Sequence, residues 1–424
     1  MSEPLIVRDV LPNGLRLVTE RMPHVRSVSI GVWLTRGSRH ETAEQGGIAH
    51  FVEHMLFKGT NTRSAEDIAQ AIDSIGGQMD AFTAKEYAGY YLKVLDEHLP
   101  FAVEVLSDIV LNPAFDATDI QREKKVILEE IKMVEDTPDD LVHELFTEQF
   151  WPDHPLGRPI LGTPGTVESF SQDALRSYFS GAYTAPNLVV AAVGNVTHAQ
   201  VRDLIASAFE RAPRRAAEVV ARPPVGVPGV HIRTKELEQS HVCLGTSGYR
   251  QDHEDRFACY VLNTVLGGSM SSRLFQNVRE KRGLAYAVFS GLVSYRDAGA
   301  LTIYAGCAND AVGELIDVVV EELRRLKRDP LTDSELTRAR DHLKGSLMLG
   351  LESTSSRMSN LARQEIYFDR QFGLDETLEG IGRVTVADVQ RVAHDLLADD
   401  ALAATVVGDV GGLALPSERI SLMA

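Results

Sequence analysis

The stretch VVAAVGNV at residues 189–196 has a similar counterpart, AATVVGDV, at residues 403–410. Two more pairs of similar segments follow the same order along the chain: AHFVEHML (49–56) with CYVLNTVL (259–266), and FDATDIQREKKVILEEI (115–131) with LTDSELTRARDHLKGSL (331–347). All three pairs are displaced by 210 to 216 residues. Self-similarity at a nearly constant spacing is the signature of a repeated structural unit. We therefore predict two similar domains produced by an internal duplication.

Each half of the chain contains strand-like runs and long helix-like segments. Two pairs of strand-like runs predict antiparallel hairpins, at 77–82 with 87–94 and at 287–295 with 300–306. Such hairpins combined with separate long helices are typical of a sheet that carries its helices on one face. We therefore predict an α+β fold, in which each of the two similar domains is a mainly antiparallel sheet with helices packed on one face.

The middle of the chain is rich in proline. The segment RAPRRAAEVVARPPVGVPG at 211–229 contains four prolines and no clear helical or strand period. A chain of 424 residues is also too long for one ordinary hydrophobic core. We therefore predict a first domain at residues 1–215, a linker at 216–229 and a duplicated second domain at 230–424.

The composition is that of a soluble globular protein, with 44% hydrophobic and 24% charged residues. The formal net charge is -17, whereas a nucleic-acid-binding protein would carry a basic surface. We therefore expect no nucleic-acid partner, and the negative charge slightly favours basic peptides as ligands.

The cysteines and the terminal sequence bear on the cellular compartment. The three cysteines, Cys243, Cys259 and Cys307, show no CxxC spacing, which fits a reducing compartment better than a disulfide framework. The start MSEPLIVRDVLPNG lacks the basic and apolar regions of a secretory signal, and no segment approaches the ~18 consecutive apolar residues of a membrane span. We therefore expect a cytoplasmic protein without a membrane partner.

The segment GGIAHFVEHMLFKGT at 46–60 carries the clearest chemical pattern. On a helix with about 100° per residue, His50, Glu53, His54 and Phe57 share one arc. The opposite side is apolar: Ile48, Phe51, Val52 and Met55. Two histidines at i and i+4 can chelate one zinc ion, and the adjacent carboxylate can deprotonate a zinc-bound water. The alternative is a pair of core histidines that are satisfied by ordinary hydrogen bonds.

A third zinc ligand is expected from the segment at 117–136, which is predicted to form an amphipathic helix. Its apolar stripe is formed by Ile120, Ile127, Ile131 and Val134, widened on one side by Val126 and Met133. Glu123 and Glu130 fall between these two sets, whereas Glu129 falls on the solvent side. Because glutamate is rarely buried without a partner, Glu130 is the natural third ligand and Glu123 a group that orients a ligand histidine. The alternative is that both carboxylates sit at the edge of the stripe in water.

The second half provides an internal control for this interpretation. The residues that match His50, Glu53 and His54 are Tyr260, Asn263 and Thr264. The residues that match Glu123 and Glu130 are Ala339 and Ser346. The apolar frame is kept while all the proposed zinc groups are lost together. One metal site, present in the first half only, accounts for this joint loss.

As a set, these motifs resemble the pitrilysin-type (inverzincin) zinc metallopeptidases, with their HxxEH pattern. HFVEH is followed by Glu130, 76 residues after His54, and by Glu123 seven residues before Glu130. The segments LPNGLRL, GSRHE, REKKVILEEI and REKRGLAY extend the resemblance over nearly the whole chain, closest to the mitochondrial processing peptidase β subunit and its bacterial relatives. The resemblance implies one zinc ion per chain, held by His50, His54 and Glu130 in the first domain, with Glu53 as general base.

The resemblance also implies roles for residues that the sequence alone would not single out. Arg279 and Tyr286, within the second domain's REKRGLAY, would contact the substrate and the tetrahedral oxyanion, and would come from the partner chain in two-chain members. Without the family, Arg279 would be interpreted as a surface residue and Tyr286 as packed in a strand.

The segment GGQMDAFTAKEYAGYY at 76–91 is similar to the family's edge strand, which pairs with an extended peptide substrate. Asp80, Ala81 and Phe82 would then be substrate-binding residues. Two residues depart from the usual pattern, since Asp80 stands where asparagine is common and Ala88 where threonine is common. An ionised aspartate cannot donate a hydrogen bond, which puts one backbone contact in doubt.

These observations lead to one functional hypothesis and two alternatives. The chain is expected to be a zinc-dependent endopeptidase that cleaves extended, unstructured peptides. Because it has both the zinc set and the Arg–Tyr pair, a homodimer is the simplest assembly, although a heterodimer with an inactive relative is possible. The alternatives are a non-catalytic scaffold or binding subunit of a heterodimeric processing peptidase, and a protein that only stores or senses zinc.

Overall fold

The computed structural model describes residues 5–215 and 222–423 of the chain. The strands in this part are β1 (Ile6–Val10), β2 (Arg16–Arg21), β3 (Ser27–Leu34), β4 (Gln78–Thr83), β5 (Ala88–Leu95), β6 (Leu188–Gly194), β7 (Gly229–Thr234), β8 (Gln239–Gly248), β9 (Ala285–Ser294), β10 (Gly299–Ala308) and β11 (Ala403–Gly408).

Helices occupy most of the remaining described residues. They are α1 (Ile48–Leu56), α2 (Ala65–Asp73), α3 (Leu99–Leu111), α4 (Ala117–Asp136), α5 (Pro138–Phe150), α6 (Pro164–Ser169), α7 (Gln172–Ala182), α8 (His198–Ala208), α9 (Arg256–Leu266), α10 (Val312–Arg328), α11 (Asp333–Gly350), α12 (Thr354–Phe368), α13 (Leu374–Arg383) and α14 (Val386–Leu396). A π-helical turn, Phe275–Glu280, precedes β9. Among the helices described, none is both long enough and apolar enough to cross a bilayer.

The strands form two sheets with the same core topology. The first sheet has the order β1-β2-β6-β3-β5-β4, and the second has the order β7-β11-β8-β10-β9. In each sheet one pair is parallel, β2 with β6 and β7 with β11, and the other core pairs are antiparallel. Apart from the additional β1, the two sheets therefore match strand for strand. The predicted α+β fold with two similar, mainly antiparallel domains is confirmed.

The chain divides into two compact units, and each includes a segment from the opposite half of the sequence. The segment Met133–Gly157 belongs to the second unit, and Gly350–Gln371 belongs to the first. The predicted domains, residues 1–215 and 230–424, are contiguous in sequence. They therefore do not account for these two segments, each of which lies in the unit formed mainly by the other half. Of the linker predicted at 216–229, residues 216–221 lie outside the described residues, and residues 222–228 form neither helix nor strand.

Hydrophobic burial explains this exchange of segments. In the first unit, α12 covers one face of the sheet through Met358, Leu361, Ala362 and Ile366. In the second unit, α5 covers the corresponding face through Leu141, Val142, Phe146 and Phe150. The larger cores, which contain most of the helices, lie on the opposite faces of the two sheets. The sequence pattern predicted helices on only one face of each sheet. The structure shows that one further helix covers the opposite face.

The helix α4 has the predicted bounds but a narrower buried stripe than expected. Ile120 and Ile127 are almost fully buried, at 2% and 0% exposure. Val126 and Met133, which were predicted to widen the stripe, are 43% and 66% exposed, so this part of the prediction was wrong. Both residues lie roughly 100° or more around the helix from Ile127, beyond the arc that a helix buries against one neighbour.

Candidate active site

The start of α1 is determined by a glycine and a buried carboxylate. Gly47 has φ 92°, and a Cβ atom there would lie 2.5 Å from the carbonyl oxygen of Leu161, so only glycine fits. The carboxylate of Glu41 accepts hydrogen bonds from the backbone N–H groups of Gly47 and Ala49, at 2.9 and 2.8 Å. Burial raises the pKa of Glu41 to about 7, against the opposing effect of these two N–H groups. Glu41 thus holds the first turn of α1 in place, a role that our sequence reasoning missed.

The helices α1 and α4 bring together the three proposed zinc ligands. One potential ligand atom from each of His50, His54 and Glu130 lies within 4.8 Å of the other two. The Nε2 atoms of His50 and His54 lie 3.8 and 3.6 Å from the two carboxylate oxygens of Glu130. Within residues 5–215 and 222–423 this is the one group of three or more His, Cys, Asp or Glu side chains close enough to hold a metal ion.

The arrangement fits a zinc ion on three grounds. Ligand atoms about 2.0–2.1 Å from a tetrahedral zinc ion lie roughly 3.3 Å from one another, close to the distances found here. Burial, with a smaller contribution from His54, lowers the pKa of His50 to about 3, so this imidazole is neutral and able to bind a metal. Finally, Oε2 of Glu130, a proposed ligand atom, is buried without a hydrogen-bond partner among the described residues. Two imidazoles and one carboxylate with an open fourth position are typical of catalytic zinc sites.

A buried carboxylate stands behind one of the two histidines. Glu123 is 4% exposed, and its Oε2 lies 3.0 Å from Nδ1 of His54. Its Oε1 lies 2.8 Å from Nζ of Lys58. When His54 donates its Nδ1 proton to this carboxylate, its Nε2 lone pair is available for a metal. The structure thus places Glu123 where the sequence predicted an orienting group. Lys58 was missed, although it lies only four residues after His54 in the sequence.

Glu53 lies between the three proposed zinc ligands and β4, the strand at the edge of the first sheet. Its Oε2 accepts a hydrogen bond of 2.5 Å from the hydroxyl of Thr83, which is on β4. Burial raises the pKa of Glu53 above its ordinary value, while the Thr83 hydrogen bond and His54 lower it, and Glu130 and Asp80 raise it further. A carboxylate with a raised pKa is suited to take up and release a proton near neutral pH. Thr83 was not predicted, because nothing in the sequence pairs it with α1.

Three of the predicted substrate-binding residues, Asp80, Ala81 and Phe82, lie on β4, which is the last strand of its sheet. One edge of β4 is therefore open to pairing within the described part of the chain, and α1 packs against this strand. Asp80 is already occupied, since its carboxylate accepts from the N–H of Ala81 at 2.8 Å and from the hydroxyl of Tyr91 at 2.9 Å. Ala81 and Phe82 are partly buried. The substrate-binding roles of these three residues stay predictions.

The second unit brings Arg279 and Tyr286 together. The guanidinium of Arg279 lies 4.9 Å from the ring centres of both Phe275 and Tyr286, which is cation–π geometry. The β9–β10 register shifts between Gly306 and Cys307, so Tyr286 occupies a bulge, and its side chain is 79% exposed. Tyr286 is therefore presented to solvent rather than packed in the sheet, because a bulge re-aims the side chain that it contains. Their proposed contacts with substrate stay predictions.

Two solved structures share the fold. A protease from Helicobacter pylori superposes with a TM-score of 0.88 at 22% identity, covering 96% of this chain and 99% of that one. A structure described as a peptidase M16 inactive domain from Pseudomonas fluorescens superposes with a TM-score of 0.87 at 21% identity, covering 95% and 98%. At these identities the similarity establishes the architecture of the chain.

Sequence comparison identifies closer relatives and the family. The chain is 46% identical over 396 residues to the uncharacterized zinc protease YmxG of Bacillus subtilis, covering 93% of this chain and 97% of the relative. It is 44% identical over 398 residues to an uncharacterized zinc protease of Streptomyces coelicolor, covering 92% and 87%. Residues 16–164 match the family model for insulinase (peptidase family M16), and residues 169–343 match the model for the peptidase M16 inactive domain. The chain therefore belongs to peptidase family M16.

Proposed function

We propose that this protein is a zinc-dependent endopeptidase that cleaves extended, unstructured peptides. The observation that carries the proposal is the group of His50, His54 and Glu130 with Glu53 beside it. Glu53 and the two histidines lie on α1, which packs against the open edge strand β4. The zinc-protease names of the M16 relatives support the same class of reaction.

The metal would be held by the two Nε2 atoms and the carboxylate of Glu130, one ion per chain. When bound, it would supply Lewis acidity to the scissile carbonyl and to the attacking water. The carboxylate of Glu123, itself paired with Lys58, keeps the imidazole of His54 in the orientation and tautomer that this binding needs.

Glu53 is the proposed general base. Thr83 donates to one carboxylate oxygen, and the other accepts no hydrogen bond from the described residues. That oxygen can take a proton from the attacking water and pass it to the leaving amine. Partial burial of Glu53 keeps its pKa raised, so the carboxylate can accept and return the proton within one turnover.

The substrate would lie along β4 as an additional strand. β-strand addition gives affinity through backbone hydrogen bonds and therefore suits peptides without a folded structure. Arg279 and Tyr286 would contact the substrate and stabilise the oxyanion, with a typical contribution of ~3 kcal/mol to the barrier for one positioned donor. A homodimer would supply this pair across its interface.

The decisive test is cleavage of a mixed set of unstructured peptides of about 10–30 residues by wild-type protein and by Glu53→Gln, with chelator and zinc add-back. Loss of a general base lowers turnover by about 100- to 10,000-fold, while zinc content should stay at one ion per chain. Wild-type cleavage that survives chelation would contradict the metal's role. A zinc-loaded wild-type protein that cleaves no peptide would favour a scaffold or binding subunit.

A further inference from the structure

A small polar cavity lies in the second unit, where α9, α11 and the loop after α9 meet. Its volume is about 20 Å³, somewhat more than the 10–15 Å³ that one water molecule needs. The residues that line it are Thr264, Val265, Ser269, Ser271, Arg273, Glu335, Arg338, Ala339 and His342. Thr264 and Ala339 are buried and form its floor, whereas Arg338 and His342 are exposed and lie at its mouth.

This cavity lies in the second unit at the positions that match His54 and Glu123 of the first unit. Thr264 matches His54, and Ala339 matches Glu123, in the duplicated segments. The matching helices are α1 with α9 and α4 with α11, and the sheets beside them have the same strand order. An imidazole and a carboxylate have thus been replaced by a hydroxyl and a methyl group. The smaller side chains account for the space.

The electrostatic character of the two places is opposite. The first unit presents carboxylates and imidazole nitrogens, which suit a cation. The second presents Arg273 and Arg338, against one carboxylate, Glu335. That carboxylate is already satisfied, because Arg273 Nε donates to Oε1 at 2.9 Å and Thr332 donates to Oε2 through both its N–H and its hydroxyl at 3.0 Å.

Donor groups remain available in the cavity. The side chain of Arg273 is only 16% exposed, and its two terminal nitrogens make no hydrogen bond to the described residues. Guanidinium N–H groups that are not hydrogen-bonded within the protein can donate to an anion. Ser269 and Ser271 lie 3.2 Å apart, so one hydroxyl can donate to the other and leave one hydrogen for a ligand.

We propose that this cavity, which we call the anion pocket, binds a small oxyanion of the phosphate class. One oxygen enters between Arg273 and the serine hydroxyls, and the remaining oxygens meet Arg338 and His342 at the mouth. The ligand is either free phosphate or the phosphate group of a larger molecule. The inference is independent of peptidase activity, because it concerns residues of the second unit alone.

The test is a titration of the whole protein with inorganic phosphate at constant ionic strength, followed by calorimetry and by thermal denaturation. We expect saturable binding of one phosphate per chain and a rise in Tm that sodium chloride does not reproduce. Arg338→Gln should weaken binding by about tenfold, since it removes a charge-assisted hydrogen bond. Arg122→Gln on α4 is the matched control, because it removes another exposed positive charge at a site in the first unit, and it should bind phosphate like the wild type.

Three outcomes would overturn the proposal: binding that does not saturate, equal affinity in wild type and Arg338→Gln, or affinity that is lost only when His54 is replaced. The last would assign the phosphate to the proposed zinc site.

Phosphoserine as a second probe distinguishes the sources of the ligand. Tighter binding than inorganic phosphate indicates a phosphate ester, and weaker binding indicates the free ion. Arg338 is exposed, so its replacement should leave the circular dichroism spectrum unchanged.

Discussion

The two units of this protein have the same sheet topology and different chemistry. In the first, α1 and α4 carry His50, His54 and Glu130 within 4.8 Å of one another. In the second, α9 and α11 carry Tyr260, Thr264 and Ser346 at the matching positions. Both units nevertheless have the same order and direction of five strands. The comparison teaches that the fold depends on the apolar frame of these helices, and that the proposed metal ligands are an addition to it.

The largest expected effect comes from giving the first unit the residues of the second. The double variant His50→Tyr/His54→Thr should lose all peptidase activity and its zinc, with the ratio falling from one ion per chain to none by elemental analysis. Its far-UV circular dichroism should be retained, because the second unit folds around these residue types. Loss of the folded far-UV spectrum would show that His50 and His54 are needed for the fold itself.

The reciprocal variant serves as the control for that exchange. Tyr260→His/Thr264→His should not acquire zinc, because Ala339 and Ser346 supply no carboxylate and the nearby Glu335 is already held by Arg273 and Thr332. Acquisition of a second ion would mean that two histidines on this scaffold suffice.

A smaller effect is expected for Tyr286, a residue of the second unit that is proposed to stabilise the oxyanion. Tyr286→Phe should lower kcat by about 100-fold with little change in KM, because an oxyanion donor acts mainly in the transition state. Steady-state kinetics on one defined peptide would measure it. Tyr249→Phe is the control, since that hydroxyl bonds Asp395 within the second unit and should be dispensable for turnover. Unchanged kinetics in Tyr286→Phe would exclude the oxyanion role.

The pairing of Lys58 with Glu123 has no counterpart in the second unit, where the position that matches Lys58 is Gly268. Lys58→Met should weaken zinc binding by about 10- to 100-fold, because the buried carboxylate loses its cation and holds His54 less firmly. Competition with a coloured chelator measures the Kd for zinc. Lys132→Met, which breaks an exposed pair with Glu129, should leave the Kd unchanged. Equal zinc affinity in both variants would contradict a positioning role for Lys58.

The smallest effect is expected from Thr83→Val. A hydrogen bond to the ionised carboxylate lowers the pKa of Glu53, so its removal raises that pKa further. Since the base acts when ionised, the acid limb of the kcat/KM profile should move to higher pH, with a few-fold loss of rate near neutral pH. Thr83→Ser should restore the wild-type profile. A lower rate with an unmoved acid limb would mean that Thr83 acts only through packing.

Several features of the fold and the site could be predicted from the sequence because they are local or repeated. The bounds of α4 follow from its period, and the two hairpins follow from adjacent strand-like runs. The spacing of His50, Glu53 and His54 places them on one arc of α1. The burial of Val126 was predicted wrongly, because a period shows which side faces the core but not how wide the contact is.

The sequence by itself therefore determined the duplication, the α+β class and the identity of the residues that could bind a metal. Only the tertiary structure decided which helix covers the second face of each sheet. It also revealed that Thr83, Lys58 and Glu41 support the site. The physical reason is that periodicity encodes contacts between residues three or four positions apart. The pairing of Glu123 with His54, or of Thr83 with Glu53, joins residues that are distant in sequence, and their proximity depends on how α4 and β4 pack against α1.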